Sequence, residues 1–283
     1  MNINKDTWTE VIRPKSNLFD LKIKEVIRYR DLLYLFVKRD FVTQYKQTIL
    51  GPSWHLIQPL FTTGVFTIIF GMVAKIPTDG MPPFLFYMCG NIIWGFFSGI
   101  MVSTSGTFVA NAGIFGKVYF PRLISPLSTV SSQCISLLLR LILLVIILCM
   151  FMFKTDVVRP NLMLLVVPLV VLMMAGIGLG IGIIVSSLTT RYRDLGIVVN
   201  FAASLLMYAT PVIYPLSVVQ EKYRIIALIN PIAPLVETFR YAFLGAGTVS
   251  WLHISYSAIF TVVILCLGIL LFNRIERTFM DVV

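Results

Sequence analysis

Residues 111–127 read NAGIFGKVYFPRLISPL. Two cations, Lys117 and Arg122, stand here with no acid, among Ile114, Phe115, Val118, Tyr119 and Phe120. Gly113 and Gly116 weaken a helix at this point, and Pro121 and Pro126 limit its continuity. On one side lie residues 80–116 without a single Lys, Arg, Asp or Glu, and on the other 123–139 are equally uncharged. A short basic break between two such runs reads as a turn between two membrane-spanning helices.

The same segregation holds outward from the turn. Residues 54–74, 141–153, 160–190, 195–220 and 241–273 also carry no charge. A bilayer core of about 30 Å needs about 20 apolar residues at helical rise, so these runs predict spanning helices. Spans are placed near 53–74, 84–110, 127–153, 162–189, 195–213 and 252–272. Only 13% of the chain is charged, against about 25% in soluble domains. A β-barrel would alternate in segments of about 10 residues, and no such alternation is present. The expected fold is an all-α integral membrane protein with six transmembrane helices. Its parts are a cytoplasmic N-terminal segment at 1–52, a transmembrane domain at 53–272 and a cytoplasmic tail at 273–283.

Orientation follows from the cations. Six spans put both termini on one side. Ten Lys and Arg lie in 1–52, and Lys117, Arg122, Arg191, Arg193, Arg274 and Arg277 bring that side to sixteen. The opposite side holds Lys75, Lys154, Arg159, Lys222, Arg224 and Arg240. Positive residues gather in cytoplasmic loops, which predicts cytoplasmic termini. The net charge of +10 is then explained by topology and anionic lipid, with no nucleic-acid partner. The polar first fifty residues predict no cleavable signal. Cys89, Cys134, Cys149 and Cys266 fall within spans at no metal-ligand spacing and read as packing residues, so no metal site is expected.

Two segments outside the spans are patterned. In VIRYRDLLYLFVKRDF (26–41), Tyr29, Leu32, Leu33, Phe36 and Val37 share one helical face while Arg28, Asp31 and Lys38 point away. That predicts an amphipathic helix lying in the membrane interface. Residues 214–251 begin and end outside yet are too apolar for a solvated loop. Asn230 followed by Pro231 predicts a helix start, with Tyr214-Pro215 a weaker one. Glu237 and Arg240 are spaced to pair at i, i+3, and Gly245-Ala246-Gly247 ends the element. The prediction is two short re-entrant helices in the outer leaflet, capping a pathway or simply packing.

Catalytic motifs are missing. No GxxxxGK[ST], HExxH, CxxC or GxSxG occurs, so the chain has no phosphate-cradling loop of its own and an enzyme is not expected. His55 and His253 read as interfacial side chains. Arg140 is the one charge inside a span, at a cost of about 2.5–3.5 kcal/mol on insertion scales. It reads either as a structural arginine bonded to carbonyls or to Asn200, or as an anion contact for a passing phosphate. Trp54, Phe61, Phe66 and Phe70 along the first span, with Phe201 and Tyr208 on the fifth, suit the apolar faces of sugar rings or ordinary packing.

Several stretches together resemble one family. They are RDFVTQYKQTILGPSWHLIQPL (39–60), KVYFPRLISPLS (117–128), RYRDL (191–195), TPVIYP (210–215), INPIAPLVETFR (229–240) and ERTFMDVV (276–283). The chain is similar, nearly end to end, to membrane subunits of type-two ATP-binding-cassette exporters for polysaccharides, the O-antigen and lipopolysaccharide export family.

The resemblance implies a homodimer paired with two copies of a separate ATPase subunit, which would bind ATP and Mg; this chain would bind no cofactor. It implies that the turn at Gly116–Pro126 is a coupling helix, with Lys117, Tyr119, Phe120, Pro121 and Arg122 docking on the ATPase. It implies an interface helix at 21–48 and periplasmic gate helices at 215–247, with Pro215, Asn230, Pro231, Glu237 and Arg240 as gate residues. A channel at the dimer interface, lined by the first and fifth spans, makes Trp54, Phe61, Phe66, Phe201 and Tyr208 candidates for the sugar path; Arg140 falls in none of the matching motifs. The implied cargo is lipid-linked O-antigen polysaccharide crossing a bacterial inner membrane, with capsule, teichoic acid or small-molecule export as alternatives. Arg28, Arg30, Lys38, Arg39 and Lys46 would attract its phosphorylated head.

Overall fold

The computed structural model describes residues 23–115, 120–155, 157–189, 192 and 194–278. They form helices α1 (Ile23–Arg28), α2 (Arg30–Tyr45), α3 (Trp54–Phe66), α4 (Pro83–Ser105), α5 (Thr107–Phe115), α6 (Ile124–Met152), α7 (Val167–Thr189), α8 (Leu195–Ala209), α9 (Glu221–Ile229), α10 (Ala233–Leu244) and α11 (Trp251–Thr278). No strand occurs among the described residues. A 3₁₀ turn at Gly51–Ser53 leads into α3, which continues as a π-helical stretch over Thr67–Val73. Another 3₁₀ turn, Leu162–Val166, leads into α7.

Five helical segments are long and apolar enough to cross a membrane: Gly51–Val73, Pro83–Ser105, Ile124–Met152, Leu162–Thr189 and Trp251–Arg274. The expected fifth span is shorter than the sequence suggests. Helix α8 has 15 residues, about 22 Å at helical rise, less than the hydrocarbon core. It stops because Pro211 follows Thr210, and a residue before proline is driven out of the helical region. Thr210 is extended, at φ −104° and ψ 145°, while Val212 and Ile213 are buried against the bundle. The expected second span also divides: α4 ends at Ser105, and α5 restarts after Gly106.

Helix α4 is the axis of the bundle. Leu85–Gly90, Ile92–Trp94, Phe96 and Phe97 are buried in it, with α6, α7, α3, α8 and α10 packed around. Close approach depends on small residues, as expected where lipid supplies no hydrophobic drive between helices. On α7, Gly178 and Gly182 face α4: an added methyl at Gly182 would lie 2.6 Å from Thr104 Cβ. Gly176 and Gly180 face the other way, onto Thr261 and Ile264 of α11. On α4 itself, Gly95 and Gly99 face Arg140 and Gln133 of α6.

Helix α2 crosses one end of the bundle. Tyr29 breaks α1 from α2. The face predicted to be apolar turns toward protein: Phe36 is buried with Phe108, Phe120, Ile124, Ile183 and Phe272, and Tyr29, Leu32 and Leu33 pack beside it. The opposite face leaves Ile27, Tyr34, Leu35 and Val42 exposed. His55 is a correction. It is buried rather than interfacial, because the end of α2 folds over it: Tyr45 Oη bonds its Nε2, and Ser136 Oγ lies 3.5 Å from the same nitrogen.

Candidate functional site

Three places in this bundle carry the candidate residues. At the turn, Lys117 and Tyr119 lie outside the described residues, as does Gly116. Phe120, Pro121 and Arg122 are described and all are buried. Phe120 meets Phe36 of α2 edge to face, 5.6 Å between centroids. It therefore anchors the base of the turn. A residue that the sequence did not single out holds the two sides of that base together. Asn111 of α5 donates from Nδ2 to Ser125 Oγ of α6 at 2.8 Å and to Thr107 O at 3.0 Å. Its Oδ1 accepts from Arg39 Nη1 of α2 at 3.2 Å. Arg39 also chelates Asp40 (2.8 and 2.9 Å) and lies 4.5 Å from the Phe36 ring centre. Of the cations expected to draw a phosphorylated head, Arg39 is thus tied to the turn, whereas Arg30 is exposed beside Asp31.

At the opposite end, the Glu237–Arg240 pair predicted by spacing is present at 3.0 Å, with both side chains buried. Arg240 Nη2 donates to Pro211 O (2.8 Å) and Val212 O (3.1 Å), and its guanidinium lies 3.8 Å from the centre of the Phe86 ring. Glu237 Oε1 accepts the Leu216 amide at 3.1 Å. Burial pushes the Glu237 carboxyl above its ordinary value, while Arg240 and the Leu216 amide oppose that rise. The pair thereby fastens α10 to the extended segment after α8, and α10 is buried over most of its length. Gly245 ends α10 in the left-handed region at φ 81°, where glycine is favoured. The start of α10 differs from expectation. The helix begins at Ala233 with Pro234 in its first turn. Asn230 caps the preceding turn, its Oδ1 accepting from Ile232 N at 3.1 Å, while its Nδ2 donates to Thr210 Oγ1 at 2.8 Å. Pro231 lies in that turn rather than in the helix, and its carbonyl accepts from Ser257 Oγ of α11 at 2.7 Å. Pro215 precedes a 3₁₀ turn, and α9 starts only at Glu221. Helix α9 leaves Tyr223, Ile225, Ile226 and Ile229 exposed.

Between these ends, α3 and α8 flank a polar cavity of about 360 Å³ backed by α4. Arg140 of α6 reaches it from behind. It sits on the inward stripe of α6 with Gln133, Leu137 and Leu144, whereas Ile135, Leu138, Ile142, Val145 and Ile146 are exposed. Asn200 lines the same cavity but makes no hydrogen bond to Arg140; its Nδ2 bonds Gly196 O at 2.9 Å. The aromatic candidates divide. Phe61, Phe201 and Tyr208 are 60–73% exposed on the open faces of α3 and α8, and Trp54 is half-exposed on the same side of α3. Phe66 instead packs edge to face with Phe70 and Tyr87 in the core.

The sequence that builds this arrangement has known relatives. The family model described as ABC-2 type transporter matches residues 31–244. The chain belongs to that family. The match begins inside α2 and ends on the last residue of α10, so the short helices at both ends of the bundle are part of the ABC-2 unit. O-antigen export system permease protein RfbA of Klebsiella pneumoniae is 29% identical over 264 residues, covering 93% of this chain and 99% of that one. A protein of the same name from Myxococcus xanthus is 26% identical over 224 residues, 78% and 83% of the two chains. Polysialic acid transport protein KpsM of Escherichia coli is 24% identical over 245 residues, 84% and 91%. As an ABC-2 permease the chain is a multi-pass membrane transport subunit.

Proposed function

We propose that this permease exports lipid-linked polysaccharide of the O-antigen type across a bacterial inner membrane, as a homodimer driven by a separate ATPase. The observation that carries this reading is the pairing of α3 and α8. Each presents exposed aromatics, Phe61 on one and Phe201 with Tyr208 on the other, and the two helices flank a polar cavity lined by Gln58, Thr62, Asn200 and Ser204. Aromatic faces stack on sugar rings and tyrosine adds a hydroxyl. The cavity lining is rich in neutral polar groups, which suits a polymer that must bind weakly and move on. Among the described residues these faces lack a partner, and a second copy placed against them would enclose a path.

The remaining features take their places around that path. Helix α8, extended by the segment through Ile213, makes the sixth crossing, and α9 and α10 lie as gate helices at the periplasmic end. The turn at 116–126 meets the ATPase, where ATP and Mg bind, because this chain carries no phosphate-cradling loop. Its tie to α2 through Asn111 and Arg39 would carry ATPase closure into the spans as a rigid-body movement. The similarity to the polysialic acid transport protein favours capsular polysaccharide as the second reading of the cargo. The test is surface glycan in cells that carry only a variant permease. Phe61→Ala with Tyr208→Ala should lower glycan export severalfold while the protein accumulates normally; full export would return both rings to lipid contact.

A further inference from the structure

Arg140 and Arg240 both reach into the bundle, and they are treated differently. Arg240 has a carboxylate, two carbonyls and a ring face. Arg140 has no ion pair and no hydrogen bond among the described residues; its Nε, like that of Arg240, is buried without a partner. Its guanidinium lines the cavity between α3 and α8, in which no carboxylate takes part. What faces it there is neutral: amides of Gln58, Asn91 and Asn200 and hydroxyls of Thr62, Ser98 and Ser204. The amides and Ser98 can donate a hydrogen bond to an anion, while the Thr62 and Ser204 hydroxyls donate to Gln58 O and Asn200 O, each at 3.0 Å. Room has been kept for the cation as well. A methyl at Gly95 of α4 would lie 2.9 Å from Arg140 Nη1, and one at Gly99 would lie 2.8 Å from Gln133 Oε1.

A cation kept unpaired at mid-span, with donors around it, has the electrostatics of a site awaiting a negative charge. The cavity, about 360 Å³, has room for several waters and so for a phosphoryl group with part of its hydration. We propose that the Arg140 cavity is an anion subsite that receives a phosphoryl group carried by a lipid. That chemistry is shared by the diphosphate of a lipid-linked glycan and by the headgroup of an anionic phospholipid. Choosing the first source rests on the export reading; the subsite itself does not.

The experiment uses the full-length permease in phosphatidylcholine nanodiscs, titrated in parallel with a polyprenyl diphosphate, inorganic pyrophosphate and phosphatidylglycerol. Binding is read by thermal stabilisation and by native mass spectrometry. The expected result is saturable binding of the polyprenyl diphosphate that weakens at least about tenfold in Arg140→Gln, as loss of a charge-assisted hydrogen bond predicts. Because Arg140→Gln could disturb folding, Asn91→Asp serves as the second variant. It keeps the arginine and the side-chain shape, sets a carboxylate on the same face of α4 as Gly95, and should block the anion equally. Equal binding of phosphatidylglycerol would support the subsite and assign it to bulk headgroups; binding of free pyrophosphate would support it and remove the need for the lipid chain. Binding in no arm, or binding that neither variant weakens, would overturn the proposal and leave a hydrated arginine only. Anion binding that persists in a permease that exports no glycan would overturn the export reading and leave the subsite standing.

Discussion

Arg240 is 1% exposed, and Glu237, two carbonyls and the Phe86 ring answer its charge. Breaking such a pair leaves the partner charged and buried, at about 3–5 kcal/mol, whereas removing both charges together is far milder. Arg240→Met should therefore sharply lower the thermal midpoint of the detergent-purified protein, and adding Glu237→Gln should recover part of the loss. Equal or greater loss in the double variant would mean that the carbonyls of Pro211 and Val212, not Glu237, are what the guanidinium serves. The i, i+3 spacing of this pair was legible in the sequence. The tertiary partners were not, since Phe86 and Pro211 reach Arg240 from distant segments. Asn111 was illegible for the same reason: an asparagine in an apolar run shows its purpose only once Ser125 and Arg39 are brought beside it.

At the scale of elements, charge segregation places the long helices, because lipid demands uncharged runs of fixed length. It does not place their interruptions. Gly106 between α4 and α5, and the stop of α8 before Pro211, are backbone events within runs that are uniformly apolar. Nor does composition tell a lipid-facing aromatic from an inward one, so Phe120 and Phe66 could be assigned only with their neighbours in view. Glycine spacing sets how closely the helices approach. Gly182→Val must push apart α4 and α7, where backbone as well as side chain is within 3.0 Å of the new methyl, and overpacking costs about 1–3 kcal/mol. Gly64→Ala on α3 meets nothing within 4 Å and should stabilise by up to about 1 kcal/mol through helix propensity. Opposite shifts of the thermal midpoint are expected; two losses of similar size would contradict the packing assigned to α7.

The whole molecule divides its labour along its length. One end is tied by Phe36, Phe120, Asn111 and Arg39 into a unit that includes the described base of the turn. The other is closed by α10 and its buried ion pair. Between them lie the polar cavity and the open aromatic faces of α3 and α8. On the proposed export reading, such a body offers its surfaces to a second copy, a polymer and a motor. The most direct measurement is glycan translocation in proteoliposomes that hold the permease either alone or with its ATPase subunit, with and without ATP. Translocation only when permease, ATPase and ATP are all present is the predicted result. Sustained movement of lipid-linked glycan by the permease alone would contradict it.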